Sequence, residues 1–375
     1  MEYFFYLIIL SIILLVFFLF KNKSLIITII SSLLIIQIIV APKLCIDSAV
    51  SGALLFFYKV FPSLFPFLVI SNIILAYDGV YIYSKIFGKL LCKPLGLPVE
   101  CSFVLIISML CGYPLGAKYS CDLYERKIID KVTCERLVNI ASNPSPLFIL
   151  GSVGTSMLNS TLIGYILLFS CYASCIIIGL LLPNKNRTKK GSASAKHDFV
   201  AINIGSALKN SVENALNTSL SIGGFVIIFS VVITFVKNRL FINSEIIENS
   251  FIGLIEMTNG CNLVSSTNCG LYIKIIIISF ILSFSGLSII AQVYSFTYKH
   301  NVSMIKYTAI KAIQGIICSF ISITIYNIFL SSSSVFVSNI YIQMFSFSES
   351  IYFALILMFI LPFILYKLFS LFKFS

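Results

Sequence analysis

The chain is divided into long apolar runs by short polar stretches, and several of these runs are long enough to cross a membrane as a helix. A helix needs about 20 residues to cross about 30 Å of hydrocarbon. Runs near that length recur along the chain and leave no room for a sizeable soluble domain. They predict helices over 3–20, 24–40, 161–182, 271–298, 305–330 and 351–371. We therefore expect an all-α polytopic membrane protein of about 8–10 helical segments.

Three further apolar runs contain residues that interrupt a helix. Pro62 and Pro66 would break or kink the helix that follows Asp47, because proline removes an amide donor. The run 102–110 ends in CGYPLGAK at 111–118, and the run 141–158 is too short and too punctuated to span, which favours a re-entrant segment. Interrupted backbone is tolerated in lipid only where protein or a wet cavity satisfies it. We expect the chemistry of the protein near these breaks, above all at 111–118.

Two stretches of the first half are more polar. Residues 78–100 are too polar to span and predict a loop with an interfacial helix. Residues 119–141 contain the pairs Asp122/Arg126 and Lys131/Glu135, each one helical turn apart. This spacing predicts a short amphipathic helix at the membrane surface.

The second half opens with a stretch whose character changes along its length. Leu208, Val212 and Leu216 share one helical face and polar residues occupy the rest, which predicts an amphipathic helix. It leads into a spanning helix that we expect to be broken at Gly223 and Gly224. Residues 241–269 predict a mixed loop.

The two halves of the chain resemble copies of one unit. Residues 47–74 align with 205–232 without gaps, and 112–118 (GYPLGAK) align with 286–292 (GLSIIAQ), so that Lys118 corresponds to Gln292. If the basic loop 184–198 is cytoplasmic, the two copies have opposite orientations. The basic clusters 118–136 and 237–239 contradict this topology. Inverted repeats with broken helices are the architecture of many secondary transporters, whose substrate site lies at the breaks.

This organisation divides the chain into five parts. They are an N-terminal transmembrane hairpin (1–43), a first gate-type repeat with its re-entrant segment (44–183), a basic cytoplasmic loop (184–198), a second repeat (199–330), and a linker with a C-terminal transmembrane helix (331–375). The run 3–20 has neither a basic segment before it nor a small-residue cleavage site, so we interpret it as a retained helix.

Composition supports a membrane protein and excludes other classes. Apolar residues make up 59% of the chain and charged residues 11%, which no ordinary soluble domain shows. The net charge of +12 comes from lysines in short loops, so it indicates topology and not nucleic-acid binding. Nucleophile-elbow, zinc-site and phosphate-loop motifs are absent from the sequence. We expect no enzyme activity, no metal and no cofactor.

Lys118 is the most informative candidate residue, because it directly follows the break at 111–118. A lysine at the centre of a bilayer costs about 2.5–3.5 kcal/mol, so one retained at depth usually faces a cavity or a partner. Lys118 either reaches the interface beside Asp122 or attracts an anionic group together with amides freed at the break. Gly112 and Gly116 would allow close approach of the backbone, and Tyr113 could stack on an aromatic substrate.

Other polar residues have two interpretations. Asn143 and Ser145 are either hinge caps or substrate donors, and Gln292 is equally ambiguous. We interpret Glu256 as a loop acid in preference to a coupling-ion ligand, and assign no role to His197 or His300. The predicted substrate-binding residues are Gly112, Tyr113, Pro114, Gly116, Lys118, Asn143, Ser145 and Gln292.

Several segments together resemble a known family. They are VFPSLFPFLVISNIIL (60–75), GYPLGAKYSCDLYERKIID (112–130), ERLVNIASNPSPLFILGSVGTSML (135–158), IGGFVIIFSV (222–231) and GLSIIAQV (286–293). Over about residues 45 to 330 the chain resembles the sporulation integral membrane protein YlbJ family, which carries a nucleoside-recognition gate repeat. The family pattern Asn-x-x-Pro-Leu-Phe is met by Asn143 and 146–148.

The resemblance implies a function. It implies an endospore-forming Firmicute and a multi-pass protein of the outer forespore membrane that moves dipicolinate during spore maturation. Dipicolinate is a planar aromatic dianion, to which helix N-termini, a lysine and a tyrosine are complementary. A transporter of this small organic anion is our first hypothesis. A non-transporting membrane scaffold and a carrier of nucleosides or other solutes are the alternatives. The expected partners are the lipid bilayer, a second copy of the chain or other sporulation membrane proteins.

Overall fold

The computed structural model describes residues 23–77, 79–183, 203–239 and 244–330. These residues form fourteen α-helices and no strand, so the predicted all-α membrane fold is confirmed. Four of the described helical stretches are long and apolar enough to cross a membrane, and up to six spans result if each of two sharply bent helix pairs counts as one. The helices predicted over 3–20 and 351–371 and the basic loop 184–198 lie outside the described residues.

The first half is a series of mostly short helices. In chain order they are α1 (Lys23–Val40), α2 (Pro42–Leu55), α3 (Phe61–Ala76), α4 (Gly79–Leu95), α5 (Ser102–Cys111), α6 (Leu115–Glu125), α7 (Lys131–Ile140) and α8 (Thr161–Leu181). A π-helical turn (Phe56–Val60) joins α2 to α3, a 3₁₀ turn (Val99–Cys101) precedes α5, and a π-helical segment (Phe148–Met157) precedes α8. The helices predicted over 24–40 and 161–182 are present as α1 and α8.

The second half contains the longest helices. They are α9 (Ile204–Arg239), α10 (Glu245–Ile255), α11 (Met257–Ser266), α12 (Leu271–Phe284), α13 (Gly286–Thr297) and α14 (Met304–Leu330), and a 3₁₀ turn (Tyr298–His300) follows α13. The span predicted over 271–298 is present as α12 and α13, and the span predicted over 305–330 is present as α14.

Pro62 and Pro66 disturb their helix without ending it. Pro62 lies in the first turn of α3, and Pro66 lies inside that helix. The irregularity falls just before them, in the π-helical turn, where the amide of Phe61 donates to the carbonyl of Phe56. A wider turn of this kind accommodates missing amide donors while the chain stays helical.

Both predicted helix interruptions at the aligned motifs are present. Helix α5 ends at Cys111, Gly112 has a φ of 82°, the peptide bond between Tyr113 and Pro114 is cis, and α6 begins at Leu115. Between α12 and α13 the chain turns at Ser285 and Gly286, with φ of 77° and 78°. We call these the first break (112–114) and the second break (285–286). The positive φ of Gly112 and Gly286 suits glycine, which lacks a Cβ.

The expected break at Gly223 and Gly224 is wrong. Helix α9 runs through both glycines as one helix of 36 residues. Gly223 instead provides space, because a Cβ there would lie 2.7 Å from the ring of Phe56. A single glycine pair inside a helix lowers its stability but does not end it when tertiary packing supports the helix.

Two expected surface elements differ from the prediction. The mixed loop expected over 241–269 is largely helical, because it contains the hairpin of α10 and α11, where a Cβ on Gly260 would lie 2.0 Å from the Cα of Gly253. The single amphipathic helix expected over 119–141 is two helices, α6 and α7, with largely buried faces. The stretch 78–100 is mainly helix α4 and forms a bent pair with α3.

Re-entry of 141–158, the five-part division and the inverted orientation of the repeats stay predictions.

Two packing units position the polar residues. Helix α9 packs along α2 and α3, and α14 packs along α8 and α12. The half-helices α6 and α13 contact each other. The first break is thereby enclosed by protein, as the polar backbone of an interrupted helix requires in lipid.

Close packing at Gly116 gives the first prediction. A Cβ on Gly116 would overlap the carbonyl oxygen of Ala141, which is backbone and cannot rotate away. We expect Gly116→Ala to lower the free energy of unfolding by about 1–3 kcal/mol, which is typical of overpacking. Thermal unfolding of the detergent-solubilised protein measures the effect.

Gly224→Ala is the matched control, because a Cβ on Gly224 meets no atom within 4 Å. We expect this variant to unfold at the wild-type temperature or slightly above it. Equal unfolding temperatures for Gly116→Ala and the wild-type protein would contradict the tight packing of α6 against Ala141.

Candidate functional site

Tyr113 connects the two breaks. Its amide donates to the carbonyl oxygen of Asn143 at 2.8 Å, and its hydroxyl donates to the carbonyl oxygen of Leu282 at 3.0 Å and contacts the sulfur of Met257. Leu282 lies in the last turn of α12, whose carbonyl groups have no partner within the helix. The first break therefore satisfies backbone groups that the second break leaves open.

A cavity of about 590 Å³ lies beside the first break, and we call it the α6 cavity. Helices α3, α6 and α9 form its walls. Its lining residues are Asn72, Leu75, Ala76, Lys118, Asp122, Glu125, Arg126, Ala207, Asn210, Ser211, Asn214, Asn217 and Thr218. Of the predicted substrate-binding residues, Lys118 is the one that lines it.

The charged residues of the α6 cavity are paired. Lys118 Nζ lies 2.9 Å from Asp122 Oδ2, and it also lies 4.4 Å from the ring centroid of Tyr119. Glu125 Oε1 lies 3.1 Å from His300 Nε2, and Arg126 donates to the carbonyl oxygen of Leu75 at 3.2 Å. Lys118 thus pairs with Asp122 and lines a cavity, and its attraction of an anionic group stays a prediction.

The lining of the α6 cavity is formally neutral. Lys118 and Arg126 contribute two positive charges, and Asp122 and Glu125 contribute two negative charges. The side chains at i and i+4 on α6 lie on one helical face, which explains why Lys118 and Asp122 meet. A solute anion would have to compete with Asp122 for the lysine.

Helix α9 presents its polar side to the α6 cavity. Asn210, Asn214 and Asn217 line the cavity, whereas Leu208, Val212 and Leu216 are exposed on the outside. Lys209 and Glu213 form an exposed ion pair on the same stretch, so its outer surface mixes apolar and charged side chains. The predicted amphipathic helix is present as the first part of α9.

Asn72 connects the three helices that form the α6 cavity. Its Nδ2 donates to the carbonyl oxygen of Ser211 on α9 at 3.3 Å, and its Oδ1 accepts from the hydroxyl of Tyr119 on α6 at 3.2 Å. The side chain of Asn72 on α3 is buried. One amide group thus uses both a donor and its acceptor to hold the wall of the cavity together.

A second polar cluster lies where the stretch 141–145 meets α14, and we call it the Lys311 network. Lys311 is fully buried, and its Nζ donates to the carbonyl oxygen of Ser142 at 2.6 Å and to Gln314 Oε1 at 2.8 Å. Gln314 Nε2 donates to Asn143 Oδ1 at 2.8 Å, and the hydroxyls of Ser142 and Tyr307 are hydrogen-bonded. The structure thus brings Asn143 and Tyr113 together, but through backbone contacts and outside the α6 cavity.

The sequence reasoning missed Lys311 and Gln314. The signal was present, because a lysine and a glutamine three residues apart interrupt an otherwise apolar spanning segment. An ionisable residue in such a segment indicates a functional site by default.

The remaining predicted substrate-binding residues contact other parts of the protein and do not line the α6 cavity. The Ser145 hydroxyl accepts from the amide of Phe148 at 3.3 Å, which is a cap of the following helical segment. Gln292 is buried, and its Nε2 donates to the Ser288 hydroxyl at 3.4 Å. Gly112 and Pro114 form the first break, and Gly116 packs on Ala141.

Glu256 is a buried acid at the start of a helix. It lies between α10 and α11, where its carboxylate accepts from the amides of Thr258 at 3.0 Å and Asn259 at 2.8 Å. These contacts make it the N-cap of α11. Within the part of the chain that the structure describes, three or more His, Cys, Asp or Glu side chains do not converge on a metal-sized site.

The fold and these two clusters define a polytopic α-helical membrane protein with a solute-sized cavity beside a broken helix. The chain is 26% identical over 313 residues to the "Sporulation integral membrane protein YlbJ" of Bacillus subtilis (strain 168), and the match covers 74% of this chain and 77% of that relative. This similarity confirms the resemblance to the YlbJ family that the sequence segments predicted. No family model matches the chain. No solved structure matches it.

The hydrogen bonds of Asn72 give the second prediction. We expect Asn72→Ala to lower the free energy of unfolding by about 1–3 kcal/mol, because the buried hydroxyl of Tyr119 loses its acceptor. Asn210→Ala is the control, since Asn210 is an exposed residue of the same cavity. Thermal unfolding in detergent compares the two. Equal losses in both variants would contradict the role of Asn72 as the link between α3, α6 and α9.

Proposed function

We propose that this protein is a transporter that moves a small organic anion across a membrane of the sporulating cell. Dipicolinate, which the family resemblance implies, is the proposed substrate, and the outer forespore membrane is the proposed location. The observation that carries the proposal is the α6 cavity, where Lys118 and Arg126 face a space of about 590 Å³ on a helix that begins at a break.

The size and chemistry of the α6 cavity suit such a solute. Sites for small molecules generally occupy about 300–1,000 Å³. The two cations can contact carboxylates, and Asn210, Asn214 and Asn217 supply amide donors and acceptors on the opposite wall. A planar dicarboxylate has the acceptors that this set of donors needs.

The pairing of Lys118 with Asp122 supports transport in preference to tight storage. An arriving carboxylate would replace Asp122 as the partner of Lys118, so part of the binding energy is spent on breaking an existing ion pair. Binding that is offset in this way permits release on the other side. An ion pair at partial exposure is also weak enough to exchange.

The two breaks create half-helices, which many secondary transporters use. Half-helices that meet near a solute site are characteristic of secondary transporters with inverted repeats. Helix α6, which carries Lys118 and Asp122 and ends just before Arg126, starts directly after the first break. A rotation at the break would therefore move the charged residues of the cavity as one group.

The third prediction concerns Lys118. In liposomes that contain the purified protein, we expect Lys118→Ala to lower uptake of labelled dipicolinate about 10- to 100-fold, because a charge-assisted hydrogen bond contributes about 1.5–3 kcal/mol. Lys209→Ala is the matched control, since Lys209 is 72% exposed on α9 and does not line the cavity. It should transport at the wild-type rate.

One result would contradict the role of Lys118, and another would contradict the function itself. If Lys118→Ala took up dipicolinate as fast as the wild-type protein, Lys118 would not be part of the substrate site. Absence of uptake by correctly inserted wild-type protein, for every solute tested, would favour a non-transporting scaffold. In a sporulating host that lacks its own homologue, the same variant should reach the membrane and leave the spores poor in dipicolinate.

One observation favours a second candidate, a carrier of nucleosides or similar neutral solutes. The formally neutral lining and the three asparagines of α9 suit a solute that forms hydrogen bonds and carries no charge. Competition in the liposome assay distinguishes the candidates. Excess nucleoside should leave dipicolinate uptake unchanged if the anion is the substrate and suppress it if the site accepts nucleosides.

A further inference from the structure

Lys311 is a buried lysine that forms no ion pair with an acid among the described residues. It lies in α14, which is long and apolar enough to span the membrane, and its side chain is fully buried. The ion pairs found among the described residues involve Lys118, Lys209 and His300, and none involves Lys311. Its environment therefore differs from that of Lys118, whose charge is balanced by Asp122.

The groups that face Lys311 are neutral hydrogen-bonding groups. The stretch between α7 and the π-helical segment contributes Ser142 and Asn143, and α14 itself contributes Tyr307, Gln314 and Cys318. Helix α8 contributes the thiols of Cys171 and Cys175. Helix α12, which also packs on α14, contributes the hydroxyl of Ser283, and the second break contributes the buried hydroxyl of Ser285. A carboxylate is absent from this set.

The hydrogen bonds of Lys311 match an uncharged amine. A neutral amine has two N–H donors, and Lys311 Nζ has two acceptors, the carbonyl oxygen of Ser142 and Oε1 of Gln314. An ammonium has three N–H donors, so one donor and a full charge would be left without a partner. Burial of an unpaired charge is costly unless an anion accompanies it.

We propose that Lys311 is the proton site of this transporter and takes up one proton each time an organic anion binds. The inference rests on the proposed function. The amine accepts a proton from water on the side of entry and becomes an ammonium, whose charge the bound anion offsets. Release of the anion on the other side returns the proton to water there and restores the neutral amine.

Hydrogen bonds connect Lys311 to the break that precedes the α6 cavity. Lys311 contacts Ser142, Gln314 contacts Asn143, and the carbonyl oxygen of Asn143 accepts from the amide of Tyr113. Tyr113 lies two residues before α6. Protonation gives Lys311 a third N–H, which needs a further acceptor near residues 142–143. These residues hold the first break in position.

The test uses the full-length protein in liposomes with the membrane potential clamped at zero and dipicolinate as the probe. With one proton for each anion, a gradient of one pH unit, acidic outside, supports about tenfold accumulation. We expect wild-type protein to accumulate dipicolinate and to acidify the lumen. Lys311→Met and Lys311→Arg should show neither effect, because one cannot be protonated and the other cannot lose its proton.

Counterflow separates the proton site from a structural role. We expect Lys311→Arg to retain exchange of external labelled for internal unlabelled dipicolinate while it loses gradient-driven accumulation, since exchange uses only the anion-loaded form, in which residue 311 is cationic. Lys306→Met, at an exposed position of the same helix, should keep gradient-driven accumulation. The Arg variant keeps hydrogen-bond donors at the site, so it tests the proposal if the Met variant fails to fold.

Three other outcomes would overturn the inference. Gradient-driven accumulation by Lys311→Met or Lys311→Arg would show that the proton is carried elsewhere. If the wild-type protein took up dipicolinate equally with and without the pH gradient, uptake would not be coupled to protons. The proposed function would remain. Absence of any dipicolinate movement by the wild-type protein, in counterflow as well, would overturn the proposed function and this inference with it.

Discussion

An interrupted helix in a membrane leaves amides and carbonyl groups that lipid cannot satisfy, and the central part of this protein depends on how those groups are paired. Tyr113 supplies two of these bonds, since its amide donates to the carbonyl oxygen of Asn143 and its hydroxyl donates to that of Leu282. The first break is thus held against both the stretch 141–145 and the end of α12. Asn143 also belongs to the Lys311 network, and α6 lines the α6 cavity, so both polar clusters adjoin this junction.

The protein distributes charge in two different ways. In the α6 cavity, Lys118 and Arg126 are balanced by Asp122 and Glu125, so a solute finds polar contacts without a fixed excess of charge. In the interior beside α14, Lys311 has hydrogen-bond acceptors and, among the residues that the structure describes, no acid as an ion-pair partner. In the proposed transport cycle, the first arrangement recognises the solute, and the second carries a charge only while the anion is bound.

Local sequence signals predicted much of the helical framework and both breaks. Gly112 and Pro114 have conformational requirements that act within a few residues, so the interruption before α6 could be recognised from the sequence. A glycine that serves packing was misinterpreted, because Gly223 beside Phe56 looks like a helix breaker until the neighbouring element is known. The same limit applies to the candidate site. The wall of the α6 cavity is joined by a contact between Asn72 and Ser211, which are 139 residues apart, and no local pattern encodes that contact.

Pairs of glycines have a mechanical consequence. Gly154 faces Gly164 of α8, and Gly253 faces Gly260, each at a distance that would exclude a Cβ. Backbones in direct contact have no intervening layer of side chains that could change rotamer and let one segment slide past the other. Each hairpin should therefore behave as a rigid body. The first break is held in a similar way, because a Cβ on Gly112 would lie 2.6 Å from the backbone nitrogen of Ser145.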